Sequence, residues 1–214
     1  MPLWAILPVK PFRQAKSRLA GVLTPAQRLQ LTRDLLTRTL DVLAQVPAVG
    51  RRLVISRDQE ALALARRHHG YTMTESGTGF LDLNVALRRA TLVARGFGAT
   101  GVVVLPADLP RLRPADVEAL IGTDLSAPAV AIAPDRHGAG TNGLLVRPPG
   151  LLAYAFGEGS YEAHLAQARA VQVEPRLVHV PGLAFDLDTA DDWALNQEYT
   201  SAHIPPDPTR RPTS

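Results

Sequence analysis

The chain carries 23 lysines plus arginines, yet only two are lysines, Lys10 and Lys16, and both lie in the stretch PVKPFRQAKSRL. With Arg13 and Arg18 they place four cations directly after an apolar run. Such a loop can cradle a polyphosphate, lysine acting as a compact point charge and arginine as a bidentate fork. A solvated basic turn would have the same composition. A chain that otherwise uses arginine, however, keeps lysine here, which points to a geometric demand. The loop has no glycine and is therefore not a Walker A loop. Asp108, in LPADLP, follows an apolar strand; an aspartate there either holds a divalent metal beside phosphates or caps the next turn. FDLDT puts Asp186 and Asp188 on one side of an extended segment, because strand side chains alternate. Two like charges on one face repel unless a cation lies between them, so Mg²⁺ is expected at these aspartates, an exposed edge strand being the plainer reading. Three carboxylates plus substrate oxygens suit Mg²⁺.

Three glycine-containing loops could join this site. DRHGAGTNGLL brings Thr141 and Asn142 to the start of an apolar strand and can offer backbone N–H groups to an anion. FGEGSYEAH sets Gly157 and Gly159 before Ser160, which reads as a helix N-cap; the same geometry makes a small site for a carboxylate or phosphate. TESGTGFLDLNVAL offers Gly77, Gly79 and Asn84 at a loop-to-helix junction, suited to close approach of a base or ribose or to a plain loop. His137 reads as a surface residue, and His68 and His69 as helix-end groups facing the macrodipole.

These residues must be positioned by a scaffold that alternates strand and helix. LWAILPV (3–9), RLVIS (52–56), GVVVLPADLP (101–110), AVAIAPD and NGLLV read as strands, LVHV precedes the acidic segment, and FDLDT is extended. Thr24-Pro25-Ala26-Gln27 is a helix start with a capping box, and that helix stops near Pro47. Further helices are expected over 59–70, closed by Gly70, over 81–95, after Pro114, over 161–170, and from Ala190 to Tyr199. This β-α-β-α order predicts an α/β fold with a mostly parallel, Rossmann-like central sheet covered by helices on both faces. Residues 1–199 form one domain by this reading, and the proline-rich 200–214 a flexible tail.

Composition narrows the function. Hydrophobic content of 46% and charged content of 20% are globular values, and a net charge of +3 spread along the chain argues against a dedicated nucleic-acid surface. Aromatics at 5% leave little for base-stacking platforms. There is no cysteine, which excludes thiolate nucleophiles and Cys-based metal sites. Neither a signal h-region nor a membrane span is found, so a cytoplasmic protein is expected, with no nucleic-acid or membrane partner.

PVKPFRQAKSRL, LPADLPRL, APDRHGAGTNGLL, FGEGSYEAH and PGLAFDLDTADD, in that order over residues 5 to 193, resemble the 2-phospho-L-lactate guanylyltransferase family of coenzyme F420 biosynthesis, which includes bacterial phosphoenolpyruvate guanylyltransferases. The resemblance implies a single-domain nucleotidyltransferase fold of the MobA-like, glycosyltransferase-A type. It implies transfer of GMP from GTP to a phosphorylated three-carbon acid, with Mg²⁺ on Asp108, Asp186 and Asp188. Lys10, Lys16, Arg18 and Asp108 would be the catalytic set. Lys10, Lys16, Arg18, Gly77, Asn84 and Pro106 would contact the nucleotide, and Thr141, Gly157 and Ser160 the acid. Phosphoenolpyruvate is the expected acceptor, with 2-phospho-L-lactate and 3-phospho-D-glycerate as alternatives, and a deazaflavin transferase would consume the product. Two competing readings remain. A molybdopterin or sugar-phosphate nucleotidyltransferase normally has a glycine-rich first loop, which is absent here. A non-catalytic nucleotide- or nucleic-acid-binding module would not need three aspartates. A homodimer is an assembly the sequence leaves open.

Overall fold

The computed structural model describes residues 3–75, 83–123 and 126–203, with residues 202 and 203 as backbone alone. Seven strands, β1 (Leu3–Pro8), β2 (Val49–Ser56), β3 (Tyr71–Thr74), β4 (Val102–Val104), β5 (Ala129–Pro134), β6 (Thr141–Arg147) and β7 (Arg176–Leu177), form one sheet in the order β3-β2-β1-β4-β6-β5-β7. Every pairing is parallel except the two made by β6. The helices are α1 (Pro25–Ala44), α2 (Gln59–Arg67), α3 (Leu83–Gly96), α4 (Pro114–Ile121), α5 (Ser160–Ala170), α6 (Pro181–Ala184) and α7 (Ala190–His203).

The apolar run of β1 has no alternation because both faces of the sheet are covered. Leu3, Ala5 and Leu7 pack with Leu36 and Leu40 of α1, Leu62 of α2 and Leu120 of α4. Trp4 and Ile6 pack on the other side with Leu87 of α3 and Leu165 of α5. The start of α1 is as expected: Thr24 Oγ1 accepts from Gln27 N at 3.3 Å, Gln27 Oε1 accepts from Thr24 N at 2.8 Å, and Pro25 is the first helical residue.

Several elements differ from the sequence reading. The edge strand β3 was not expected; its four residues are too few for a clear period beside the preceding helix. α2 ends at Arg67, and the left-handed residue after it is His69 (φ 57°), not Gly70, whose N–H closes the turn on Ala65 O at 2.8 Å. α5 begins at Ser160 itself, with Gly159 (φ 69°) as the cap residue. That left-handed backbone is what calls for glycine there. FDLDT is not a strand. Leu187 donates its N–H to the Asp108 carbonyl at 3.1 Å, and the short helix α6 leads into the segment. Gly182 in α6 lies so close to α4 that a Cβ there would sit 2.9 Å from Arg111 O and overlap the Asp116 carboxylate. α7 continues past Tyr199 to His203, beyond the expected end of the domain.

The chain runs from β1 outward through β2 to β3, then returns to lay β4 on the opposite side of β1. A crevice opens where strand order reverses, at the carboxyl ends of β1 and β4. Among the described residues no helix is long and apolar enough to cross a membrane.

Candidate active site

A cavity of about 390 Å³ occupies that crevice, a size suited to a small-molecule ligand. Lys10, Lys16, Pro106, Asp108 and Asp188 are among the residues lining it. The loop after β1 is pinned by buried Phe12, whose N–H donates to Asp58 Oδ2 at 2.7 Å, while Asp58 also caps α2. The single 3₁₀ turn Ser17–Leu19 then buries Leu19 against Phe185 and Leu187. This packing brings residue 16 to residue 188. Lys16 Nζ lies 2.7 Å from Asp108 Oδ2 and 2.9 Å from Asp188 Oδ1, with only 6% of its side chain exposed. Its backbone is left-handed (φ 57°, ψ 32°), which costs a non-glycine residue about 1 kcal/mol or more. The backbone alone would favour glycine at this position, so lysine is there for its ammonium group.

The cluster is short of positive charge. Burial works against the Lys16 ammonium, but Asp108 and Asp188 outweigh it and hold its pKa above the ordinary lysine range. Burial, reinforced by repulsion from Asp108 and Asp188, pushes Asp186 up despite its hydrogen bond from Asn142 Nδ2 at 3.3 Å. Asp108 Oδ1 is buried with no hydrogen-bond partner. Three carboxylates against one ammonium, with an orphaned buried oxygen, form a donor set that fits a divalent cation. Among the described residues, however, no three such side chains are drawn around one point; Lys16 stands between Asp108 and Asp188. Asp192 supports the cluster from behind. Its Oδ2 accepts the N–H groups of Asp188 (2.9 Å) and Thr189 (2.7 Å), and its other oxygen pairs with Arg136. These hydrogen bonds outweigh burial and hold Asp192 below the usual carboxylate range.

Asn142 connects this cluster to a second group of residues. Its neighbour Thr141 is buried, with Oγ1 3.0 Å from Nδ1 of His164, which is itself inaccessible to solvent. The Ala155 N–H donates to His164 Nε2 at 3.2 Å, so the ring proton sits on Nδ1 and is donated to Thr141. Thr141 then has its own hydroxyl proton free to give elsewhere. Burial lowers the His164 pKa to about 4 from 6.5. As pH falls from 6.5 toward 4, the unfolded chain takes up a proton that the folded imidazole refuses. Folding stability is therefore expected to fall by about 3 kcal/mol across that window. Denaturant titrations at a series of pH values should show this slope, and His164→Phe should flatten it.

The structure gathers some of the sequence-derived site residues and leaves others apart. Lys10, Lys16, Pro106, Asp108 and Asp188 share the cavity, and Asp186 adjoins through electrostatics. Arg13 and Arg18 are exposed and not on its wall. Asn84 Nδ2 donates to Phe156 O (3.1 Å) and its Oδ1 accepts from Phe156 N (2.7 Å), which ties α3 to the segment before α5 and places Asn84 at a separate cavity. Gly77 lies outside the described residues. Ser160 is buried at the start of α5 and Gly157 is exposed nearby. The 135–140 loop does not hold a free anion nest: the Asp135 carboxylate accepts the N–H groups of His137, Ala139 and Gly140. His164, Asp192 and Arg136 escaped the sequence reading, and the bond from the Asn142 side chain to Asp186 was not foreseen. Only Asp192 had a local signal, the Thr189-x-x-Asp192 spacing of a capping box.

Residues 3–195 match the family described as Guanylyl transferase CofC like. A phosphoenolpyruvate guanylyltransferase of Rubrobacter xylanophilus is 41% identical over 194 residues, covering 91% of this chain and 93% of that protein. One from Conexibacter woesei is 38% identical over 193 residues, covering 90% and 86%. Among solved structures, a Methanothermobacter nucleotidyl transferase aligns with a TM-score of 0.68 at 15% identity, covering 92% of this chain and 97% of that one. Glucosyl-3-phosphoglycerate synthase from Mycobacterium tuberculosis, solved with Mn²⁺ and UDP, aligns at 0.59 with 12% identity, covering 84% and 70%. At such identities these structures speak to the fold, which is that of the nucleotidyltransferases. The match over nearly the whole chain shows that this protein belongs to the CofC-like guanylyl transferase family and is a nucleotidyltransferase.

Proposed function

We propose that the protein transfers GMP from GTP to phosphoenolpyruvate. A phosphate oxygen of the acid attacks the α-phosphorus; one O–P bond forms as the bond to the β-phosphate bridging oxygen breaks, and pyrophosphate leaves. A phosphate monoester is already largely dianionic at neutral pH, its second pKa being about 6, so no general base is required. The work left to the protein is positioning and charge neutralisation. The observation that carries the reading is the Lys16 ammonium set among aspartates at the switch-point cavity of a guanylyl transferase.

Asp108, Asp186 and Asp188 would hold Mg²⁺, which when bound supplies charge neutralisation at the phosphate oxygens. Lys10, on the cavity wall, attracts the triphosphate, and Lys16 turns from its aspartates to the phosphates as they arrive. Thr141, oriented by His164, gives its hydroxyl proton to the acid, and the start of α5 at Gly157 and Ser160 completes the anion site. The product is a reactive phosphoanhydride, consistent with consumption by a transferase that couples it to a deazaflavin.

Pyrophosphate release from GTP and Mg²⁺, with phosphoenolpyruvate, 2-phospho-L-lactate and 3-phospho-D-glycerate supplied separately, tests the reaction. Release with phosphoenolpyruvate alone is expected. Release with another acid keeps the mechanism and replaces the acceptor; silence with all three, with the downstream transferase also present, sinks the proposal. Thr141→Val is expected to raise KM for the acid about tenfold while leaving KM for GTP unchanged, as loss of one hydrogen bond to a charged group implies.

A further inference from the structure

The cavity extends away from Lys16 across the carboxyl ends of β1, β2 and β3, and its far end carries one more carboxylate. Glu75 follows β3 directly, and its N–H donates to Ser56 O at 3.1 Å, which fixes its backbone to the end of β2. Arg57 Nε lies 3.3 Å from Glu75 Oε2 and orients the carboxylate, whose side chain is 16% exposed. Asp108 and Asp188 are occupied by Lys16, so among the described residues Glu75 is the carboxylate on this cavity wall that Lys16 does not engage. From β3 to β4 is three inter-strand steps of about 4.8 Å each. That span leaves room for a base and ribose between Glu75 and the phosphate end. Pro8, Val9, Ile55 and Ala86 make the walls between them apolar, as a purine face requires.

We infer that Glu75 reads the guanine base and sets the preference for GTP, a role that deepens the proposed function and rests on it for the identity of the nucleotide. Guanine presents two adjacent donors on its Watson–Crick edge, N1–H and the 2-amino group, and a carboxylate accepts both at once. Adenine presents an unprotonated N1 there, so lone pairs would face lone pairs and the half-buried carboxylate would gain no partner from the base. Hypoxanthine keeps N1–H and lacks only the 2-amino group, which makes inosine triphosphate a single-contact probe.

The test is equilibrium binding of GTP, ITP and inorganic tripolyphosphate, with Mg²⁺, to the wild-type protein and to Glu75→Gln and Glu75→Ala. The wild type should prefer GTP over ITP by about tenfold to a hundredfold, the effect of one hydrogen bond to a charged group. Both variants should bind GTP and ITP alike and keep tripolyphosphate affinity, which also reports that they fold. Wild-type protein that binds ITP as tightly as GTP, or a folded variant that keeps the wild-type ratio, overturns the role of Glu75. A GTP preference that depends on Glu75, in a protein that nevertheless releases no pyrophosphate with any acid, supports Glu75 and overturns the transfer reading alone. Failure to bind any guanine nucleotide overturns both.

Discussion

Asp108→Asn is expected to reduce pyrophosphate release from GTP by on the order of 10³-fold, because the set proposed to hold Mg²⁺ loses a carboxylate, and with it the cation that would neutralise the reacting phosphates in a site partly shielded from water. The fold should survive the change. The contact that ties residue 108 to the acidic segment is made by its backbone carbonyl, which accepts from Leu187 N, and asparagine leaves that bond intact. Asparagine also preserves the side chain's shape beside Lys16. What it removes is the charge on a carboxylate whose second oxygen is buried and unpartnered. Thermal denaturation with and without Mg²⁺ separates the two effects: wild-type protein should gain stability on adding the ion, and Asp108→Asn should not. An unchanged Mg²⁺ response in the variant would remove Asp108 from the metal-binding set. Activity near wild type would remove it from catalysis as well.

Lys16→Met should produce the opposite pattern in the metal response. Methionine keeps most of the buried stem and removes the ammonium that now separates Asp108 from Asp188. Without it, like charges face one another and the metal-free protein should melt earlier. Because no ammonium then competes for those oxygens, Mg²⁺ should raise Tm by more than it does in the wild type. Turnover should still fall on the order of 10²-fold, since the cation proposed to meet the phosphates is gone. The diagnostic result is a larger Mg²⁺ stabilisation together with lower activity. A Mg²⁺ response that disappears along with activity would instead make Lys16 the post that keeps the aspartates in place for the ion. The left-handed backbone at this residue agrees with a side chain retained for function at a cost in stability.

The residues by themselves determined the parts of this protein that depend on neighbours in sequence. The capping box at Thr24 and Gln27, the unbroken apolar run of β1, the helical spacing of leucines in α1 and the confinement of lysine to one loop are all local facts. Each maps directly onto dihedral preference, burial or charge. With the LPADLP and FDLDT segments and the family resemblance they carry, these were enough to expect a mostly parallel α/β sheet with Lys10, Lys16, Asp108, Asp186 and Asp188 near its carboxyl edge. Tertiary structure decided which of those residues meet. Lys16 is 92 positions from Asp108 and 172 from Asp188, and the three converge only because β4 lies beside β1 and because Leu19 and Leu187 share one small core. It also decided what the polar loops do. Asp135 takes up the N–H groups that the loop sequence offers to an anion, Asn84 is bound to Phe156, and His164 selects the direction of the Thr141 hydroxyl. Hydrogen-bond partners of this kind are chosen by strand order and loop packing, and no periodicity or spacing along the chain encodes them.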